Sequence, residues 1–270
     1  MQVLILSRKF EIHSSQRLVE ELLLAGHTPL LWDPGWPVSK CVARFDALIP
    51  RIGNFQFEEA LETLHEFETR GGHVLNNHVA YKKARNKWMT YVTCLELQIP
   101  TPYSELVQNR DEFSWKRNFP CIVKKLISSK GEGVFLADDS AALSKLLADI
   151  DEEVLAQDAY PESFGEDVRA FVVGRKIIAS MKRKSTHDFR SNLALGATAE
   201  PCTLTAREEE LVLKTAELFN LEICGIDILR THKGSLILEV NPCPGLEGIE
   251  KYTQVNVTRA IIRHIEELCR

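Results

Sequence analysis

The sequence predicts an α/β unit built on a parallel sheet, followed by a longer α+β region rich in hairpins. Three observations predict it. Strand and helix patterns alternate through residues 3–75. From residue 103 onward, short strands come in pairs joined by turns. The composition is that of an ordinary globular chain: 270 residues, 44% hydrophobic and 26% charged, enough for a proper core and too apolar for a disordered polymer.

Residues 3–6 form a short run of buried-strand type. Ser14 or Ser15 is positioned to cap a helix whose apolar positions Leu18, Val19, Leu22 and Leu23 repeat at helical spacing, with Gly26 as its stop. Residues 28–32 read as a second strand, and Asp33-Pro34-Gly35-Trp36-Pro37 breaks the chain. A third strand is expected at 46–50. A helix follows at 57–70 on Phe57, Ala60, Leu61, Leu64 and Phe67, ending at Gly71-Gly72, and a fourth strand at 73–75. Such alternation implies a parallel sheet with helices on its faces. No G-x-G-x-x-G follows the first strand, which argues against a dinucleotide site there.

Beyond Asn76-Asn77 two helices are expected at 79–84 and 87–97, and Ile99-Pro100-Thr101-Pro102 forces extended chain. Strands at 104–107, 121–126, 133–136 and 154–157 surround a helix at 141–150. Longer strands follow at 167–173, 176–182, 223–230 and 236–241, with helices at 206–219 and 257–268. The first of these helices opens on Thr205-Ala206-Arg207-Glu208, a capping-box pattern.

Composition also excludes function classes. The net charge of −5 argues against a general attraction to nucleic acid. No apolar run approaches the roughly 20 residues of a membrane span. The apolar start Met1-Gln2-Val3-Leu4-Ile5-Leu6 is too short for a signal peptide and meets Arg8 and Lys9 at once. Seven cysteines, from Cys41 to Cys269, include no C-x-x-C pair, so neither a disulfide framework nor a zinc site is expected. The expectation is a cytoplasmic protein with reduced thiols.

The segment 223–241 carries most information. It reads as two strands around His232-Lys233-Gly234. A hairpin centred on Lys233 sets Asp227 opposite Glu239, with Asn241 on the same face as Glu239. Ile226, Ile228, Leu238 and Val240 then face the core. Three oxygen ligands without His or Cys suit a hard cation, Mg²⁺ before zinc. Such a hairpin is otherwise a solvated acidic face. Gly225 opposite Asn241, the neutral Asn241 and the following Pro242-Cys243-Pro244-Gly245 favour the metal.

Ser128-Ser129-Lys130-Gly131-Glu132-Gly133 joins two strands. Gly131 and Gly133 let backbone approach a ligand, and consecutive N–H groups can cradle phosphate. No Walker G-K-[ST] follows, and alone the loop is an ordinary hairpin turn. Lys124 lies on the preceding strand, Asp167 and Arg169 share one face of a later strand, and Lys182-Arg183-Lys184 and Arg190 add cations. Lys184 reads as solvated. Together these groups suggest a nucleoside triphosphate with Mg²⁺.

At this point the chain resembles the ATP-grasp carboxylate–amine ligases, and within them the RimK-like glutamate ligases. The likeness rests on Ile5-Leu6-Ser7-Arg8, Ile49-Pro50-Arg51-Ile52-Gly53, Asp167 with Arg169, Asp188-Phe189-Arg190-Ser191-Asn192, Gly225-Ile226-Asp227-Ile228-Leu229-Arg230, and Glu239-Val240-Asn241 with Pro244-Gly245-Leu246-Glu247-Gly248-Ile249-Glu250. The last two blocks, at their spacing, are the specific ones.

The resemblance implies an α/β pre-ATP-grasp domain at 1–86 and an α+β ATP-grasp fold whose two lobes, 87–160 and 161–270, clasp ATP. It implies that Lys124 binds ATP phosphate, that Asp158 and Ala159 form the adenine-side hinge, and that Asp167 contacts the nucleotide, as its ribose. Arg190, Ser191 and Asn192 match a block facing nucleotide and substrate. Asp227, Glu239 and Asn241 match ligands of two Mg²⁺ ions, with Mn²⁺ as a substitute and Glu239 as the bridge. Arg169, Arg190 and Asn192 are the implied catalytic side chains, and His187 is a plain surface loop residue.

The implied reaction joins an amino acid, glutamate first, to a protein or peptide carboxylate through an acyl phosphate. Arg183, Arg190, Asn192 and Arg51 are the candidates to hold that amino acid. A same-chemistry ligase of the carrier-dependent lysine-biosynthesis type, and a nucleotide-binding regulator, are the competing readings; whether the chain forms a homo-oligomer is left open. Three departures from the RimK pattern are visible: a shorter stretch between Asp33 and Phe45, Ala159 in place of an aromatic residue, and Leu195 in place of an arginine.

Overall fold

A computed structural model describes residues 1–36, 45–53 and 56–270. Pro37 and Cys41, and the shortened stretch that holds them, lie outside the described residues. β1 (Gln2–Leu6), α1 (His13–Leu24), β2 (Thr28–Trp32), β3 (Ala47–Pro50), α2 (Phe57–Thr69) and β4 (His73–Val74) build the first unit. Its strands are all parallel, in the order β2-β1-β3-β4. The strand order reverses between β1 and β3, and sheets of this kind bind ligands at the carboxyl ends of the strands at that point. α1 begins earlier than expected. Its N-cap is Ile12, and Ser14 and Ser15 lie inside the helix. Ser15 instead meets the Ser7 hydroxyl at 2.8 Å, so it fixes the loop after β1.

The chain continues through α3 (His78–Arg85) and α4 (Lys87–Glu96), capped by the side-chain oxygens of Asn77 and Asn86. β5 (Ser104–Leu106), β6 (Cys121–Lys125), β7 (Val134–Ala137) and β8 (Val154–Asp158) form an antiparallel sheet of order β5-β8-β6-β7. With α5 (Ser140–Asp149) it encloses a core of its own around Trp115, Val123, Leu143 and Leu147. The third sheet holds β9 (Glu166–Val173), β10 (Lys176–Lys184), β11 (Thr198–Pro201), β12 (Ile223–Thr231) and β13 (Gly234–Asn241), in the order β11-β10-β9-β12-β13. α6 (Ala206–Leu218) opens on the expected Thr205–Glu208 capping box, and α7 (Leu246–Thr253) and α8 (Val257–Leu268) follow β13.

The expected divisions at 86/87 and 160/161 separate the three sheets, but the cores cross them. Val3, Ile5, Leu18 and Leu22 pack with Phe171 and Met181 of the third sheet and with Ile261 and Ile265 of α8. Ala80, Ala84 and Cys94 of α3 and α4 pack on Val168, Val172 and Ile226. Among the described residues no helix is long and apolar enough to cross a membrane.

Candidate active site

The β12–β13 hairpin turns on His232-Lys233, with Thr231 paired to Gly234. This turn is one residue shorter than expected and by itself would set Asp227 opposite Leu238. A bulge corrects the register: Ile228 pairs with Ile237, and Asp227 with Glu239, leaving Leu238 as the extra residue. Bulges of this kind interrupt the alternation of faces. Ile237 and Val240, three residues apart, are thus both buried at 1% exposure. Leu238 turns toward the cleft instead of joining the core. Gly225 faces Asn241 as expected, and the space it leaves is taken by Pro244, whose Cβ would lie 3.0 Å from a Cβ at 225.

Behind the hairpin lies a buried ion-pair network. Arg169 forks onto Asp227 with two 2.7 Å hydrogen bonds. Arg183 bridges the two aspartates, donating to Asp167 at 2.6 Å and to Asp227 at 2.8 Å. Ser191 donates to Asp167 as well. Burial pushes the Asp167 carboxyl up. Burial acts the same way on Asp227, but the two guanidinium groups overcome it and hold that carboxylate below its usual range. Arg183 is 3% exposed, its Nε and Nη2 are taken by the two aspartates, and it also lines the cleft. It therefore braces Asp167 and Asp227.

Between the second and third sheets runs an open cleft. Lys124, Asp158, Ala159, Asp167, Arg190, Ser191, Asn192, Asp227 and Glu239 all line it. An adjoining recess shares Lys124 and Glu239 and adds Asn241. Four expected residues, Arg51 among them, are missing from both linings. Arg169 sits behind Asp227. Gly131, at φ +81°, packs against Asn192, whose Oδ1 would be 2.7 Å from an added Cβ, and Gly133 packs against Ser128 and Lys125. The glycines are thus demanded by packing within the protein.

Other side chains have definite partners. Asp158 accepts two hydrogen bonds from Arg117, at 2.7 and 2.8 Å, and that guanidinium lies over the Tyr103 ring. Tyr160, next to Ala159, supplies an aromatic ring to the cleft. Arg190 pairs with Asp188 and donates to the Gly131 carbonyl at 2.7 Å, which links the third sheet's loop to the glycine loop. Arg51 donates to the Pro244 carbonyl at 2.9 Å and to Ser14 at 3.2 Å. Asn241 accepts from the Cys243 N–H at 2.9 Å. His187 is exposed and away from the cleft.

Sequence reasoning passed over Lys87. It lines both cavities beside Lys124 and donates to Ser128 Oγ at 2.9 Å. Burial pushes the Lys124 ammonium down to about 8, partly offset by Glu239 and reinforced by Lys87. Burial lowers Lys87 too, with Glu239 opposing. A signal was present: Lys87 is the first residue of α4, where the helix dipole favours an anion. Glu239 faces these lysines and makes no hydrogen bond or ion pair with any described residue, while Asp227 retains one of about four acceptor positions. Asp227, Glu239 and Asn241 supply only oxygen donors, which fits a hard cation.

Residues 84–265 match the model of the RimK-like ATP-grasp domain. The chain belongs to the RimK-like ATP-grasp family. A probable alpha-L-glutamate ligase of Histophilus somni is 34% identical over 297 residues, covering 99% of this chain and 99% of that protein. A ribosomal protein bS6–L-glutamate ligase of Escherichia fergusonii is 34% identical, covering 98% and 96%. The ATP-grasp ligase PsnB, solved with a precursor variant, Mg and ADP, superposes with a TM-score of 0.77 at 17% identity, over 100% of this chain and 98% of that one. The first parallel sheet followed by two antiparallel sheets around a cleft is thus the ATP-grasp fold, and the RimK-like members share this chain's full span.

Proposed function

We propose that this protein is an ATP-dependent carboxylate–amine ligase that adds glutamate to the C-terminal carboxylate of a protein or peptide, releasing ADP and phosphate. The observation that carries the reading is the Glu239 carboxylate, which no described residue partners, set opposite Asp227 by the bulge and facing the buried Lys124 and the half-buried Lys87 in the cleft. Asp227, Glu239 and Asn241 would hold Mg²⁺, as two ions with Glu239 shared or with Mn²⁺ as a substitute, and the metal would neutralise charge on the transferring phosphoryl group.

The chain's own residues then have these roles. Lys87 and Lys124 hold the ATP phosphates with fixed charge. The hinge 158–160 takes the adenine side, with Arg117 holding Asp158. Asp167 and Ser191 stand at the ribose. Arg169 and Arg183 position Asp227. Asn192, which lines the cleft and makes no side-chain hydrogen bond to a described residue, faces the substrates, and Arg190 closes the glycine loop over them. The acceptor carboxylate enters from the crevice beyond β1 and β3, where Ser7 and Arg51 lie. Its oxygen attacks the γ-phosphorus and ADP leaves. The glutamate amine attacks the acyl phosphate carbon, phosphate leaves, and the amine proton passes to solvent.

Three lobes, 1–86, 87–160 and 161–270, divide this labour. The six described cysteines are free, consistent with the cytoplasm. ADP release measured across the amino acids, with mass spectrometry of the products, tests the reading. Glutamate-dependent ADP release with a product one glutamate heavier is the expected result. Release with lysine-pathway acceptors only would favour the carrier-type ligase, and ATP binding without release would favour a regulator.

A further inference from the structure

A second cluster of ligand-type side chains lies on the first unit, away from the cleft. His65 and Glu68, three residues apart, share one face of α2, and His78 opens α3 opposite them. One donor atom from each lies within 4.8 Å of the others. The two imidazole rings are 4.4 Å apart and tilted by 55°. Glu68 is already oriented: its Oε1 accepts from the His78 backbone N–H at 2.7 Å, and its Oε2 lies 2.5 Å from His78 Nδ1.

We propose that His65, Glu68 and His78 form a site for a divalent transition metal, Zn²⁺ first. Two imidazoles and one carboxylate are a common zinc donor set, with bonds of about 2.0–2.2 Å and ligand atoms about 3.4 Å apart. Closing from at most 4.8 Å to about 3.4 Å needs side-chain movement of up to about 1.4 Å, and all three groups are at least partly exposed. The backbone hydrogen bond on Oε1 is the outer contact that usually fixes a ligating carboxylate. On binding, Zn²⁺ takes the place of the proton between Nδ1 and Oε2. The neutral His78 ring then carries its one proton on Nε2, exchanged through solvent, the ion bonds to Nδ1, to Oε2 and to a ring nitrogen of His65, and water completes the coordination. The ion pins α2 to α3. Because α3 ends at Ala84 and Arg85, which wall the recess beside the cleft, the pin joins the first unit to the catalytic region.

Zinc titration against a chromogenic chelator tests this, with the full chain at pH 7.5. One equivalent of Zn²⁺ bound at micromolar affinity is expected. His65→Ala, on an exposed helix face, should weaken it at least tenfold while circular dichroism stays as wild type. Glu239→Gln separates this site from the cleft and should leave the micromolar equivalent in place. Unchanged affinity in His65→Ala, loss in Glu239→Gln alone, or no binding tighter than about 100 μM would each overturn the proposal.

Discussion

Arg183 and Arg190 lie seven positions apart, carry the same charge, and have different duties. Arg183 is sealed between two aspartates, and truncating one member of a buried charge network typically costs about 3–5 kcal/mol. Arg183→Met should therefore lower the melting temperature sharply. A melting curve like wild type would show that the network is not structural. Arg190 instead ties two loops across the cleft, and an ammonium cannot reproduce its forked geometry. Arg190→Lys should raise KM for ATP and lower kcat, with KM for the amino acid and the melting temperature little changed. A rise confined to the amino-acid KM would return Arg190 to the substrate pocket. For Glu239→Gln, an isosteric change, turnover should fall about 100-fold or more, since metal charge stabilisation is worth several kcal/mol, with the fold intact. Wild-type turnover at saturating Mg²⁺ would sink the assignment. Residue types and spacing were enough to select Asp227 and Glu239. They could not show that Arg169 and Arg183 point at Asp227 instead of at a ligand, because period-two alternation gives a face and not a partner.

At the scale of elements, α6 is the best-specified helix. Thr205 and Glu208 cap each other's backbone N–H groups, and Arg230 forks onto Glu208 with two 2.8 Å bonds. Burial would raise Glu208, but Arg230, the Thr205 N–H and Ser235 outweigh it and hold the carboxyl at about 2. A depressed carboxyl stabilises the fold fully above its unfolded value of 4.5 and loses that contribution as pH falls toward 2. Glu208→Gln should thus melt below wild type at pH 7, with the gap closing between pH 4.5 and 2. A gap independent of pH would contradict this. Thr205→Ala should cost about 1 kcal/mol. This helix was legible because its cap is chemical. β11 was not: its residues are mostly exposed and carry no alternation. Nor was α7, whose N-cap is Gly245 and whose interior holds Gly248. The hairpin was legible in outcome, but the turn was read one residue too long and the bulge was not foreseen, and the two errors cancelled at Asp227.

For the whole molecule, the contact of Gly131 with Asn192 joins the second and third sheets across the cleft. Gly131→Ala adds a Cβ where none fits, at a φ that side chains avoid. It should weaken ATP binding and lower kcat, with only a small change in thermal stability, because the loop lies outside the cores. ATP titration and melting curves on the same variant check this, and unaltered ATP affinity would show that the lobes close without that contact. The order of the units was readable from alternating and paired strands. The sharing of cores was not, since long-range packing leaves no periodic mark. That sharing reaches into synthesis. Val3 and Leu18 share one buried cluster with Ile261 and Ile265, and a ribosome adds roughly 5–20 residues per second. The first sheet therefore waits roughly 10–40 s with part of its apolar face bare. In that interval the nascent chain is a client for any holdase at the exit tunnel, and the final helix acts as the latch that ends the dependence.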